Sequence, residues 1–214
     1  EISCLDPDAE APCHLMAKHF VQGSFQDFNT VYSFGQSHDV ISIEIEHVNI
    51  EALEELERLG KKVFPRPSAL RTIQDKGLQK LFFKQHNIPT TDFELAENPA
   101  EWADKLIKLK GNKVAAKLRK GGYDGKGVDL IDKQTILETY NKIPFSEPVV
   151  LEEFVENAIE LAVIVARNEK GEICTFPTVE MEFDPKANLV EFLFSPAQIN
   201  AEIERMRTEL VPTE

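Results

Sequence analysis

With 214 residues, 42% of them hydrophobic and 29% charged, the chain is long enough to bury a core that needs no metal or disulfide staples. Twenty-four Lys and Arg against 37 Asp and Glu leave a net charge of −13, which argues against a general surface for nucleic acid or anionic membrane. No apolar run approaches the roughly 18 residues of a membrane helix, and Cys4, Cys13 and Cys174 form neither a disulfide framework nor a CxxC pair.

A reducing, cytoplasmic setting is therefore expected. The segment Glu1 to Pro7 lacks the basic-then-apolar order of a signal peptide. It starts without Met inside an expected strand, so the expectation is a fragment, a processed chain or the ordered part of a longer one. Ile2–Leu5 reads as a strand, Gln26–Ser37 as a helix and Val40–Ile45 as a buried β-branched strand. Asn49 is a good N-cap for a helix over Ile50–Leu59, with Leu53, Leu56 and Leu59 as its apolar stripe and Gly60 as its stop. Lys62–Phe64 returns as a strand. This alternation predicts a layered α/β unit with a parallel sheet.

Pro65-Arg66-Pro67 is the candidate boundary, since neither proline extends a helix or a central strand. Beyond it Ser68 can cap a short helix, and Asp75–His86 carries Leu78, Leu81 and Phe82 at helical spacing before Asn87-Ile88-Pro89 stops it. Pro99–Leu109 reads as one helix with Trp102, Leu106 and Leu109 on a shared face. Strands are then expected at Val114–Leu118, Val128–Ile131, Val149–Glu152 and Leu161–Arg167, with a helix at Gln134–Asn141. The pattern is α+β with antiparallel pairing. More strand follows over Ile173–Phe194, and a last helix over Ala197–Leu210.

Charge is not evenly spread. Between Lys105 and Lys126 lie eight basic residues and one acid, Asp124, a local +7 that leaves −20 for the rest. Such an island implies a site for a small anion, because the surrounding acid would repel a long polyanion. Lys105, Lys108 and Lys110 also fit the solvated face of a helix. Inside the island, Gly121, Gly122, Gly125 and Gly127 stand between two strands, where backbone N–H groups can close on a phosphate without Cβ obstruction. The spacing is neither GxGxxG nor GxxxxGK[ST]. A plain glycine-rich hairpin would have the same composition.

Lys117 through Gly127, preceded by Ser42-Ile-Glu-Ile-Glu-His47 and Gln74-Asp-Lys-Gly-Leu-Gln-Lys80, and followed by Val150-Leu-Glu-Glu-Phe154 and Glu160-Leu-Ala-Val-Ile-Val, closely resembles the N5-carboxyaminoimidazole ribonucleotide synthases, ATP-grasp ligases of purine synthesis. The resemblance covers essentially the whole chain. It implies a Rossmann-like pre-ATP-grasp layer over residues 1–67 and an ATP-grasp domain over 68–214, with a small lid at about 112–152 and both ends short.

The resemblance also implies roles. Lys76 and Lys117 would contact ATP phosphates, and Gly122, Tyr123, Asp124, Gly125, Lys126, Gly127 and Val128 would fold over them. Glu152, Glu153, Phe154 and Val155 would pair with the adenine edge, and Glu160 would hold the ribose hydroxyls. Glu44 and Glu46, two apart on one strand face with His47 beside them, would meet the aminoimidazole ribonucleotide, with Tyr123 and Lys126 reaching in from the loop. The sequence does not choose between the two glutamates. The implied substrates are ATP, bicarbonate and aminoimidazole ribonucleotide, with Mg²⁺ as cofactor, no nucleic acid or membrane partner, and a homodimer as the family habit.

Two family elements are absent: the glycine-rich turn before the first residue and the C-terminal acidic metal ligands. The metal ligands are therefore unassigned, and Glu180 and Glu182 are better read as the wet face of a strand. Met181 and Phe183 stand where many members carry Asn and His. The competing readings are a nucleotide-binding module without chemistry, and an ATP-grasp ligase for another amine, against which Tyr123-Asp124 and the Glu44/Glu46 pair argue.

Overall fold

The computed structural model describes residues 1–122, 126–139, 142–184 and 189–210, and the chain divides into two compact units, Glu1–Phe82 and Phe83–Glu214. Among the described residues no helix is long and apolar enough to cross a membrane.

The first unit runs β1 (Ser3–Asp6), a 3-10 turn (Pro12–Leu15), β2 (His19–Gln22), α1 (Phe28–Gln36), β3 (Val40–Ser42), α2 (Ile50–Arg58), β4 (Lys62–Phe64), α3 (Pro67–Ile73) and the start of α4 (Lys76–Gln85). β1 pairs with β2 and β3 with β4, both in parallel, so the expected α/β layering is present as two two-stranded sheets. Val31, Ile41, Leu53, Leu56, Val63 and Leu70 form the core. As expected, Asn49 caps α2, its side chain accepting from Ala52 N–H. Gly60, at φ +84°, ends α2: its N–H donates to Glu57 and that of Lys61 to Leu56, the paired bonds of a left-handed C-terminus.

Two local expectations in this unit are corrected. The strand expected over Val40–Ile45 ends at Ser42, because its ladder ends at the Ser42↔Phe64 pair and Pro65 has no N–H to continue it. Ser68 does not cap α3. Pro67 opens that helix after Arg66, which places Ser68 one residue inside. Leu70, 1% exposed, belongs to the first core, so this unit extends beyond the prolines. β2 carries no clear period that would mark it in the sequence.

The second unit contains the rest of α4, β5 (Phe93–Ala96), a 3-10 turn (Pro99–Glu101), α5 (Trp102–Leu106), β6 (Lys113–Leu118), β7 (Val128–Asp132), α6 (Lys133–Glu138), β8 (Val149–Glu153), β9 (Glu160–Ala162), β10 (Val165–Arg167), β11 (Ile173–Thr175), β12 (Val179–Phe183), β13 (Val190–Phe194) and α7 (Ala201–Leu210). Four strands form one antiparallel sheet in the order β5-β8-β6-β7. Val114, Ala116, Val149 and Leu151 point from one face into a core completed by Trp102, Leu106, Leu109 and Ile136. The opposite face carries Ala115 and Lys117 from β6 and Val150 and Glu152 from β8.

Asn87, at φ +56°, stops α4 in the conformation a glycine would take, with Ile88 N–H donating to Phe83. The single helix expected at Pro99–Leu109 is instead a 3-10 turn capped by Asn98, then α5, then two i→i−3 bonds from Lys108 and Leu109. Leu161–Arg167 is not one strand either: β9 pairs with β12, whereas β10 pairs with β11. The last helix starts at Ala201 because Asn200 accepts from the N–H groups of Glu202 and Ile203. The expected helix end at Asn141 lies outside the described residues.

Candidate functional site

β6 leads directly into the glycine loop and β7 leads out of it, as the sequence predicts. Leu118 N–H donates to the Gly127 carbonyl at 2.8 Å, closing the neck. There a Cβ on Gly122 would sit 2.7 Å from the Lys126 carbonyl oxygen, and one on Gly127, at φ +74°, would sit 3.1 Å from the Gly122 Cα. Both glycines are thus required by the close approach of two backbones. The tip, Tyr123, Asp124 and Gly125, lies outside the described residues. Val128, at the start of β7, faces Lys117 across the ladder.

Lys117 opposes Val150, and Ala115 opposes Glu152, so Lys117 and Glu152 are diagonal neighbours on one face of the sheet. The two form an ion pair, with side-chain exposures of 33% and 7%. The second Glu152 oxygen accepts from the Thr91 hydroxyl at 2.9 Å. A buried carboxylate between a cation and a hydroxyl fixes the lysine's direction while leaving a third of its surface to solvent. Thr91 was missed by sequence reasoning. Only its place just before β5 brings it to Glu152, and β5 itself was not predicted.

The adenine-edge segment divides in two. Glu152 lies inside β8 with Phe93 on one side and Ala115 on the other, so its backbone is enclosed by the sheet. Glu153 accepts from Lys110 N–H at 2.7 Å, and its own N–H donates to Asp92. Phe154 and Val155 are exposed as the chain leaves the sheet, and among the described residues no group accepts from Val155 N–H. Glu160 is exposed in β9 and stands opposite Met181.

The basic island does not keep its charge in three dimensions. Lys105 and Lys108 meet Glu94 at 3.3 and 3.6 Å, Lys110 meets Asp92 at 3.3 Å, Lys113 meets Glu156 at 2.8 Å and Arg119 meets Glu97 at 2.7 Å. With the Lys117–Glu152 pair, six of the eight cations have acidic partners that lie outside the island in sequence. Lys120 and Lys126 are exposed beside the loop.

In the first unit, Glu44 and Glu46 do not share a strand face. They occupy the bend after β3, where Pro65 has ended the ladder, and both are exposed. Glu44 also borders a cavity of about 460 Å³ walled by Cys4, Leu5, Asp6, Ile41 and Ile43; Glu46 and His47 do not. Lys76 is the first residue of α4, half-buried behind Asp75, whose carboxylate accepts from Gly77 and Leu78 N–H. Among the described residues no group of three His, Cys, Asp or Glu is arranged to hold a metal.

Comparison with known proteins agrees with this architecture. Residues 1–74 match the family model of the ribonucleotide synthetase preATP-grasp domain, and residues 81–213 match that of the ATP-grasp domain. The N5-carboxyaminoimidazole ribonucleotide synthase of Synechococcus elongatus is 32% identical over 203 residues, which cover 93% of this chain and 50% of the relative. A carboxyaminoimidazole ribonucleotide synthase of Aspergillus clavatus, solved with ATP, is 30% identical with a TM-score of 0.84, over 96% of this chain and 54% of its own. A structure of that organism's enzyme with ADP and 5-aminoimidazole ribonucleotide is 28% identical with a TM-score of 0.81, over 96% of this chain and 53% of its own. The chain spans about half the length of these relatives. The resemblance read from the sequence is borne out.

Proposed function

Because this chain belongs to the ATP-grasp family, carrying a preATP-grasp segment ahead of the ATP-grasp domain, we propose that it serves the ATP- and bicarbonate-dependent carboxylation of 5-aminoimidazole ribonucleotide to its N5-carboxy derivative. The observation that carries the reading is the β6–β7 hairpin, whose two-glycine neck opens beside the oriented Lys117–Glu152 pair. Relatives of the same fold are described in complex with ATP, and with ADP and 5-aminoimidazole ribonucleotide.

In this reading Lys117 and Lys76 bind phosphate oxygens, and the loop Gly122–Val128 lies over them, including Tyr123, Asp124 and Gly125 at its tip. The edge of adenine pairs with Phe154 and Val155, past the enclosed backbone of Glu152, and Glu160 accepts from the ribose hydroxyls. The lid in this reading is the segment of about residues 112–152, which carries β6, β7, α6 and most of β8.

The chemistry joins two steps. A bicarbonate oxygen attacks the γ-phosphorus and ADP leaves, giving carboxyphosphate, which breaks down to carbon dioxide and phosphate. The exocyclic amine of the ribonucleotide then bonds to that carbon and loses a proton, giving the carbamate. Water must be kept out until capture, which is the office of the loop. The acidic bend Glu44–His47 receives the amine-bearing ring. Magnesium would supply charge neutralisation at the phosphates, but among the described residues no group of three His, Cys, Asp or Glu is arranged to hold it.

The test is a ligand series. ATP should raise the melting temperature of the chain, Lys117→Ala should remove that rise, and 5-aminoimidazole ribonucleotide with bicarbonate should stimulate phosphate release from ATP. Nucleotide binding without stimulated release would identify a binding module. No ATP effect in the unsubstituted chain would refute the proposal.

A further inference from the structure

The tripeptide Gln74-Asp75-Lys76 joins α3 to α4. Asp75, 3% exposed, caps α4. Gln74 reaches the other way: its Nε2 donates to the carbonyls of Glu46 at 2.5 Å and Val48 at 2.9 Å, so both protons of one nitrogen are committed. Its own N–H is bonded to Leu70 in the core, which makes the base of the clamp rigid.

The receiving segment needs such a clamp. It leaves the sheet at Ser42, where the ladder stops, rests Ile43 against the first core, and is next fixed by buried Val48 and by Asn49, which donates to the Phe25 and Gln26 carbonyls. Between these points Glu44 and Glu46 are exposed, and two like charges two residues apart favour an opened bend. A neutral amide binds the backbone without adding a counter-charge, so the carboxylates remain available to a cationic or amine-bearing ligand. Lys or Arg in its place would quench them.

We propose that Gln74 is a positioning residue that holds the acidic bend Glu44–His47 in its ligand-receiving form. The ligand part of this inference rests on the reading given under Proposed function. Gln74→Met keeps the shape and removes both donors; Gln74→Glu is a second variant should the first fail to fold. Digestion with a Glu-specific endoprotease reads the bend directly, with Glu54 and Glu57 of α2 as internal reference sites. We expect cleavage after Glu44 or Glu46 to quicken at least tenfold while α2 is cut at its original rate and the melting temperature stays within a few degrees.

Calorimetry on the intact chain should show 5-aminoimidazole ribonucleotide binding weakened at least fivefold with ADP binding unchanged. Unchanged cleavage at the bend, or equal acceleration at every site, would overturn the proposal. If the unsubstituted chain does not bind the ribonucleotide while the variant bend is selectively cut, the clamp stands and the functional reading falls.

Discussion

Consider the Lys117–Glu152 pair under substitution. Removing one partner of a buried pair costs about 3–5 kcal/mol when the remaining charge has no access to water. Here the two sides differ, since Glu152 is 7% exposed and Lys117 is 33% exposed. Lys117→Met takes the paired cation away from a buried carboxylate that also accepts from the Thr91 hydroxyl, and we expect it to cost about 3 kcal/mol. Glu152→Gln leaves a lysine that can turn to solvent and an amide that still accepts from Thr91, so it should cost about 1 kcal/mol. Adding Glu152→Gln to Lys117→Met removes the buried charge that lost Lys117, and the double variant should recover about 1–2 kcal/mol relative to Lys117→Met. Urea unfolding of the four proteins measures this cycle. A Lys117→Met cost no larger than that of Glu152→Gln, or strictly additive costs, would refute the argument that unequal burial governs the pair.

Three further outcomes are expected. Gly35→Ala would drive a Cβ into the methyl groups of buried Leu56 between α1 and α2, and despite the better helix propensity should destabilise by about 1–2 kcal/mol in the same assay; a neutral result would mean that the two helices separate freely. Gly122→Ala should weaken ATP binding with little change in melting temperature, since it opens the loop neck without touching the core; unchanged affinity would count against the phosphate-cover reading. The Thr30 hydroxyl, then the Thr30 N–H, hold Asp27 below the usual carboxylate range, and Thr135 N–H chiefly does so for Asp132. Their stabilisation is present above the unfolded aspartate value of about 4 and is lost as pH falls through the lower folded values. Asp27→Asn with Asp132→Asn, which keeps both caps, should flatten the acid limb of a stability profile, and an unaltered limb would contradict the assignment.

What the sequence revealed depended on the range of the forces involved. α2 was legible to within one residue of its end because Asn49, the Leu53 and Leu56 stripe and Gly60 are all local signals, although Leu59, expected in that stripe, is its exposed C-cap. The loop between β6 and β7 was legible for the same reason, as four glycines mark it. The end of β3 was not, because Pro65, which halts its ladder, lies on the partner strand and acts only after pairing. The charge island misled for a related reason. Asp92, Glu94, Glu97, Glu152 and Glu156 lie outside its window yet fold onto it through β5, β8 and the chain beyond β8. Gln74 stands in a motif that the resemblance drew out, but nothing local indicates that its amide spans 28 residues to Glu46. Tertiary pairing decided each of these.

The matched lysines bear on how an anionic nucleotide would arrive. With six of the eight cations of the island already paired with acids, little remains to draw a triphosphate from a distance, and the far field is that of a polyanion of −13. Diffusional encounter would then be opposed, and counterions that shorten the Debye length would speed capture where an unshielded basic cleft would be slowed by them. Recognition on such a surface begins only at contact.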